Sequence, residues 1–164
     1  MTEMQLPQPG PAHELLEPFV GTFQAEVKLY MGPGDPAVST GVMVNEFQLN
    51  GLWLMQTYKG DAVEGPFPNF AGYGFWGWNF AAQKYEGFWV DSVSPAMQTE
   101  SGSVDDTGRV WTMLSKHTNP QTGEPMTKKS IIELVDSDNH RMVVYFSSPD
   151  GTDFKSMEIH YTRV

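Results

Sequence analysis

Residues 70–78 read Phe70-Ala71-Gly72-Tyr73-Gly74-Phe75-Trp76-Gly77-Trp78. Aromatic side chains favour the pleated, half-buried surface of a sheet. Glycines inside a strand mark a bend, a bulge or a close approach to the backbone. A sheet that must curve toward closure needs such points. Lys84–Asp91 reads as the next strand.

Working outward, Phe23, Ala25, Val27 and Leu29 alternate with Gln24, Glu26 and Lys28, the period-two pattern of a half-buried strand. MGPGDP at 31–36 is a loop of glycine and proline. Strands follow at 38–49 and 52–59, separated by the hairpin signal Asn50-Gly51. Beyond the central segment, strands are expected at 97–104, 109–118, 126–135, 141–147 and 154–164. Turns at Asp106-Thr107-Gly108, 119–125, DSDN (136–139) and Pro149-Asp150-Gly151 separate them. A short helix is expected over His13–Val20, limited by Pro18. Residues 1–12 read as a flexible tail and 13–164 as one domain.

About ten strands joined by short turns must pair with antiparallel neighbours and pack as a sandwich or close as a barrel. A flat sheet would leave an aromatic face in water. The expected fold is all-β: a closed antiparallel up-and-down barrel of about ten strands with a short N-terminal helix.

Charge narrows the partners. The 164 residues carry a net charge of −10, which repels phosphate backbones and anionic membranes. No run approaches the ~20 apolar residues of a membrane helix. The absence of cysteine excludes disulfides and thiolate chemistry and suits a reducing cytoplasm.

Two resemblances add to this reading. Gly21-Thr22-Phe23 opens the first strand, and Tyr161-Thr162-Arg163 ends the last. This resembles the calycin superfamily, in which a Gly-x-Trp on the first strand sits at the closed end of the barrel under a basic residue of the last strand; here Phe23 stands in place of the tryptophan. The resemblance implies structural roles for Gly21, Phe23 and Arg163, with Arg163 stacked over the Phe23 ring. Further matches are His13-x-x-Leu16-x-x-x-x-Gly21-x-Phe23, Met31-Gly32-Pro33-Gly34, Gly87-x-Trp89-Val90-Asp91-Ser92 and Met157-Glu158-Ile159-x-Tyr161-x-Arg163. In these the chain resembles a bacterial family known only as a domain of unknown function, DUF1579. That family usually has Gly-Tyr-Asp where this chain has Gly77-Trp78-Asn79. The resemblance implies a calycin-like barrel and no particular activity.

Catalytic patterns are missing. Gly72-x-Gly74-x-x-Gly77 has nucleotide-loop spacing without a following helix. The four histidines lack metal-ligand spacing, so no metal site and no cofactor are expected. His13 reads as a local cap and His140 as a solvated turn residue. His117 shares parity with Trp111, Met113 and Ser115 near a barrel mouth. A last-strand histidine could ligate a haem. However, Met157, Ile159, Tyr161 and Arg163 share one face, which leaves His160 on the other with Ser156 and Glu158. Among the carboxylates Glu46, Asp91 and Glu100, Asp91 reads as a turn acceptor.

Five tryptophans and ten methionines remain. They suit an adaptable apolar pocket or an oligomer interface, with a homodimer as the simplest case. The expected pocket walls are Tyr58, Tyr73, Trp89, Trp111 and Met113, with Asn45, Gln56 and Asp91 as polar contacts. The preferred function is a carrier or sensor of a small apolar or amphipathic molecule. The alternatives are a barrel isomerase, dehydratase or hydrolase of a lipid-like or aromatic compound, and a filled-core structural oligomer.

Overall fold

The structure is a computed structural model that describes residues 4–62, 67–119 and 121–164. Ten strands follow a short helical segment. They are β1 (Gly21–Leu29), β2 (Ala37–Gln48), β3 (Trp53–Gly60), β4 (Ala71–Asn79), β5 (Lys84–Asp91), β6 (Gln98–Val104), β7 (Val110–Thr118), β8 (Pro125–Leu134), β9 (Asn139–Ser147) and β10 (Asp153–Arg163). Each pairs antiparallel with the next, and β1 pairs with β10, so the sheet closes into a barrel. Closure leaves no unpaired edge.

The N-terminal helix differs from the expectation. The helix starts earlier and breaks: α1 runs Pro11–Glu14, and a separate 3-10 turn covers Glu17–Phe19. Both open on or next to a proline, which tolerates the first helical turn but not the interior. The β2–β3 turn spans residues 49–52, with Leu49, Asn50 and Gly51 all at positive φ (53°, 59° and 79°). The Gly51 amide donates to the Gln48 carbonyl at 3.1 Å and the Leu52 amide to the Leu49 carbonyl at 3.3 Å, so Asn50-Gly51 lies at the centre of a four-residue loop. Residues 1–3 of the expected tail lie outside the described residues. From Gly10 onward the chain is tied down, with the Gly10 amide donating to His13 Nδ1 at 3.1 Å.

The helical segment plugs one end of the barrel. Leu16 and Phe19 bury there against Leu54, Trp76, Tyr85, Trp111, Met113 and Ile132. So short a helical segment leaves its last carbonyls without internal partners. Barrel side chains supply them. Tyr85 donates to the Ala12 carbonyl (2.8 Å), and Asn45 Nδ2 to the Phe19 carbonyl (2.9 Å). Arg163 donates to the carbonyls of Val20 (2.7 Å) and Pro18 (2.9 Å). A second apolar cluster, Phe23, Ala25, Val27, Met43, Tyr58, Ile159 and Tyr161, continues up one wall. Among the described residues no helix is long and apolar enough to cross a membrane.

Candidate functional site: an open lumen with one polar wall

Above the plug the barrel holds a cavity of about 430 Å³. Phe19, Trp76, Ile132 and His140 form its floor. Met43, Val144, Met157, Ile159 and Tyr161 form an apolar wall, and Gln56, Asp91, Gln98, Glu100 and Lys128 a polar one.

Glycines explain why so aromatic a barrel is not filled. The Trp89 ring lies across Gly72 and Gly74, so that a methyl group on Gly74 would sit 2.9 Å from its Cε3. The Trp76 indole lies across Gly87, and the Tyr58 phenol against Gly41. Each large ring occupies the slot left by a missing Cβ on the adjacent strand and lies flat along the wall. Laid flat, these rings line the lumen without crossing it.

Glu100 organises the polar wall. Its Oε1 accepts from Trp76 Nε1 and its Oε2 from Ser130 Oγ, both at 3.2 Å. Lys128 Nζ stands 3.8 Å from the same Oε2 and donates to Gln98 Oε1 at 3.2 Å. The Lys128 and Glu100 side chains are only 13% and 14% exposed, so removal of one partner would strand a poorly solvated charge. Asp91 fixes the neighbouring tryptophan: its Oδ2 accepts from Trp89 Nε1 at 3.0 Å. Its Oδ1 accepts from the amides of Val93 (3.0 Å) and Ser94 (2.9 Å) at the strand-end turn.

His140 corrects the expectation of a solvated turn residue. The turn ends at Asn139, and His140 is the first inward side chain of β9, opposite Tyr161. It stacks on Tyr161 (4.4 Å between centroids) and meets the edges of Phe23 (4.6 Å) and Phe19 (5.0 Å). Burial, and then the charge of Arg163, push its pKa down to about 3, so it is a neutral imidazole. Burial likewise raises the phenols of Tyr161 and Tyr58, which stay protonated.

Of the expected pocket residues, Gln56, Tyr58, Trp89 and Asp91 line the cavity. Tyr73 does not: it is exposed on the outside, because Gly72, Gly74 and Trp76 take the inward positions of β4. Trp111 and Met113 point inward but lie in the plug cluster below the cavity. Asn45 also points inward, where its amide is committed to the Phe19 carbonyl. Glu46 is exposed. At the closed end the Arg163 guanidinium carbon stands 4.6 Å above the Phe23 ring. Gly21, at φ 132°, is packed under the same guanidinium.

The outward face of β10 carries His160, whose Nε2 lies 2.7 Å from Glu158 Oε1. Ser156 departs from the expected alternation. The register between β9 and β10 slips between Lys155 and Met157, and the slip brings both Ser156 and Met157 to the cavity. His117 is half-buried, with Nε2 2.8 Å from Ser115 Oγ. Burial, and then the nearby Lys128 charge, lower its pKa. Among the described residues no group of three or more histidine, aspartate or glutamate side chains could hold a metal ion.

Sequence reasoning missed Trp76, Gln98 and Lys128 as pocket residues. A signal existed for two of them. Trp76 shares parity with Gly72 and Gly74, and Lys128 with Ser130 and Ile132 on β8.

The architecture is thus a closed ten-stranded barrel, plugged at one end and hollow above the plug. A family model described as "Protein of unknown function (DUF1579)" matches residues 8–163, and the chain belongs to that family. The chain matches no curated protein sequence. Among solved structures it is similar to Rv2717c from M. tuberculosis, at 15% identity and a TM-score of 0.65, covering 94% of this chain and 98% of that one. It is also similar to the S-type phycobiliprotein lyase CPES from Guillardia theta, at 10% identity and a TM-score of 0.57, covering 93% and 92%. These similarities show a shared fold.

Proposed function

We propose that the protein is a carrier or sensor that holds a small apolar or amphipathic ligand in the barrel lumen. The observation that carries this reading is the cavity of about 430 Å³, kept open by rings lying flat in glycine slots. Its size falls within the ~300–1,000 Å³ of small-molecule sites, and its lining is mostly apolar with a few convergent polar groups. The Phe23–Arg163 stack supports placing the barrel with the calycins. The net charge of −10 favours a small molecule over nucleic acid as partner.

The polar groups of the lumen argue against acid–base catalysis. Both oxygens of Glu100 and both of Asp91 already hold protein donors. An imidazole with its pKa at about 3, as in His140, is a weak base near neutral pH.

The test combines native mass spectrometry of freshly purified protein, before and after denaturation, with tryptophan fluorescence titration by a fatty acid series and an apolar probe. We expect saturable quenching that is weakened in a folded Trp89→Phe variant. The melting temperature should rise with ligand concentration, since 100-fold excess over Kd adds about 2.7 kcal/mol to stability. No change in fluorescence or melting temperature across a broad panel would replace this reading with that of a scaffold barrel.

A further inference from the structure

We infer that the polar wall selects a ligand carrying an uncharged hydrogen-bond acceptor, a ketone, ester or amide carbonyl, on an otherwise apolar body. This inference rests on the carrier reading and concerns the same lumen.

The argument is an inventory of donors and acceptors. Glu100 spends both oxygens on Trp76, Ser130 and Lys128. Asp91 spends both on Trp89 and the turn amides. Every carboxylate oxygen of Glu100 and Asp91 thus already holds at least one protein donor. Lys128 has three N–H donors and no acceptor. It gives one to Gln98 and at most one to Glu100, so at least one remains for the lumen. Because the ammonium requires the carbonyl end of the Gln98 amide, the Gln98 NH₂ is the end left over. The spare N–H groups of the wall are those of Lys128 and Gln98, and the group that matches them is an acceptor.

Charge then separates a carbonyl from a carboxylate. The Lys128 ammonium is balanced by Glu100, and the cavity lining adds Asp91 and Asp61. A carboxylate here would meet one cation and three anions in a site that shields charge poorly. An ammonium head would stand beside the Lys128 ammonium and leave its spare N–H and the Gln98 NH₂ without an acceptor. A carbonyl oxygen accepts from Lys128 and Gln98 and brings no charge.

The experiment measures displacement of the apolar probe Nile red by 2-decanone, decanoate, decylammonium and decane at neutral pH. Wild-type protein, Lys128→Met and Glu100→Gln are compared, each checked for folding by its melting transition. We expect 2-decanone to displace the probe about tenfold better than decanoate or decylammonium, the worth of one hydrogen bond to a charged donor. In Lys128→Met its advantage over decane should shrink about tenfold. Glu100→Gln frees the ammonium and should reverse the order, with decanoate gaining over 2-decanone. Should Lys128→Met not fold, the Glu100→Gln reversal decides alone. Decanoate binding the wild type as well as 2-decanone, or Glu100→Gln leaving the order unchanged, would overturn the inference and leave the carrier reading standing. Failure of all four compounds to displace the probe would overturn both.

Discussion

Phe23→Ala is expected to lower the unfolding free energy by about 3–5 kcal/mol, the range for truncating a large buried aromatic. Phe23 is 1% exposed at the junction of plug and barrel. Its backbone pairs with Met43 on one side and Arg163 on the other, so both neighbours are held by strand pairing and cannot collapse into the void. Its ring supports His140 and lies under Arg163, which in turn holds the carbonyls of Pro18 and Val20. Truncation therefore opens a cavity and loosens the residue that anchors the plug. Urea denaturation of both proteins measures the loss. A loss below about 1 kcal/mol would mean that the closed end does not depend on this ring.

Acid should destabilise the protein well before its carboxylates titrate. The folded state holds His140 neutral, with a pKa of about 3, whereas the unfolded chain binds a proton below the ordinary value of 6.5. The contribution of His140 is fully present above pH 6.5 and is lost as the pH falls from there toward 3. The slope is at most about 1.4 kcal/mol per pH unit. His13 and His117, lowered chiefly by burial, act with the same sign. Glu158, held at about 2 first by Lys155 and then by His160, keeps its contribution above its ordinary value of 4.5 and loses it only as the pH falls from there toward 2. The interval from pH 6.5 to 5 thus belongs mainly to the histidines, and about 2 kcal/mol should disappear there through His140. His140→Phe keeps a ring against Tyr161 and removes the titration. Urea midpoints at pH 7, 6 and 5 should fall more steeply for the wild type than for this variant. Equal slopes would refute the buried neutral imidazole.

Strand positions were legible because alternation and turn chemistry agree along the chain, as at Lys84–Asp91, where expected and observed bounds coincide. Alternation separates inside from outside, and that separation fails where the backbone changes phase. The slip at Ser156 places two consecutive residues at the lumen. In β4 two of the inward positions are Gly72 and Gly74, whose space belongs to Trp89, so alternation alone does not show that Tyr73 faces outward. Alternation also says nothing of height along the barrel axis. Trp111 and Met113 point inward, yet lie among the plug residues that end the cavity. His140 was lost for a different reason, since it follows a polar DSDN turn and only its pairing with Tyr161 reveals the first inward position of β9.

The central claim is that the lumen is an open ligand site, and isothermal titration of wild type and Gly72→Val with one alkyl ketone tests it most directly. A side chain at Gly72 overlaps the Trp89 ring and must drive it off the wall into the cavity. The account predicts one saturable site per barrel in the wild type. In the variant, affinity should fall by at least about tenfold while the melting transition remains cooperative. Equal affinity in the two proteins would place the ligand somewhere other than the lumen and contradict the account.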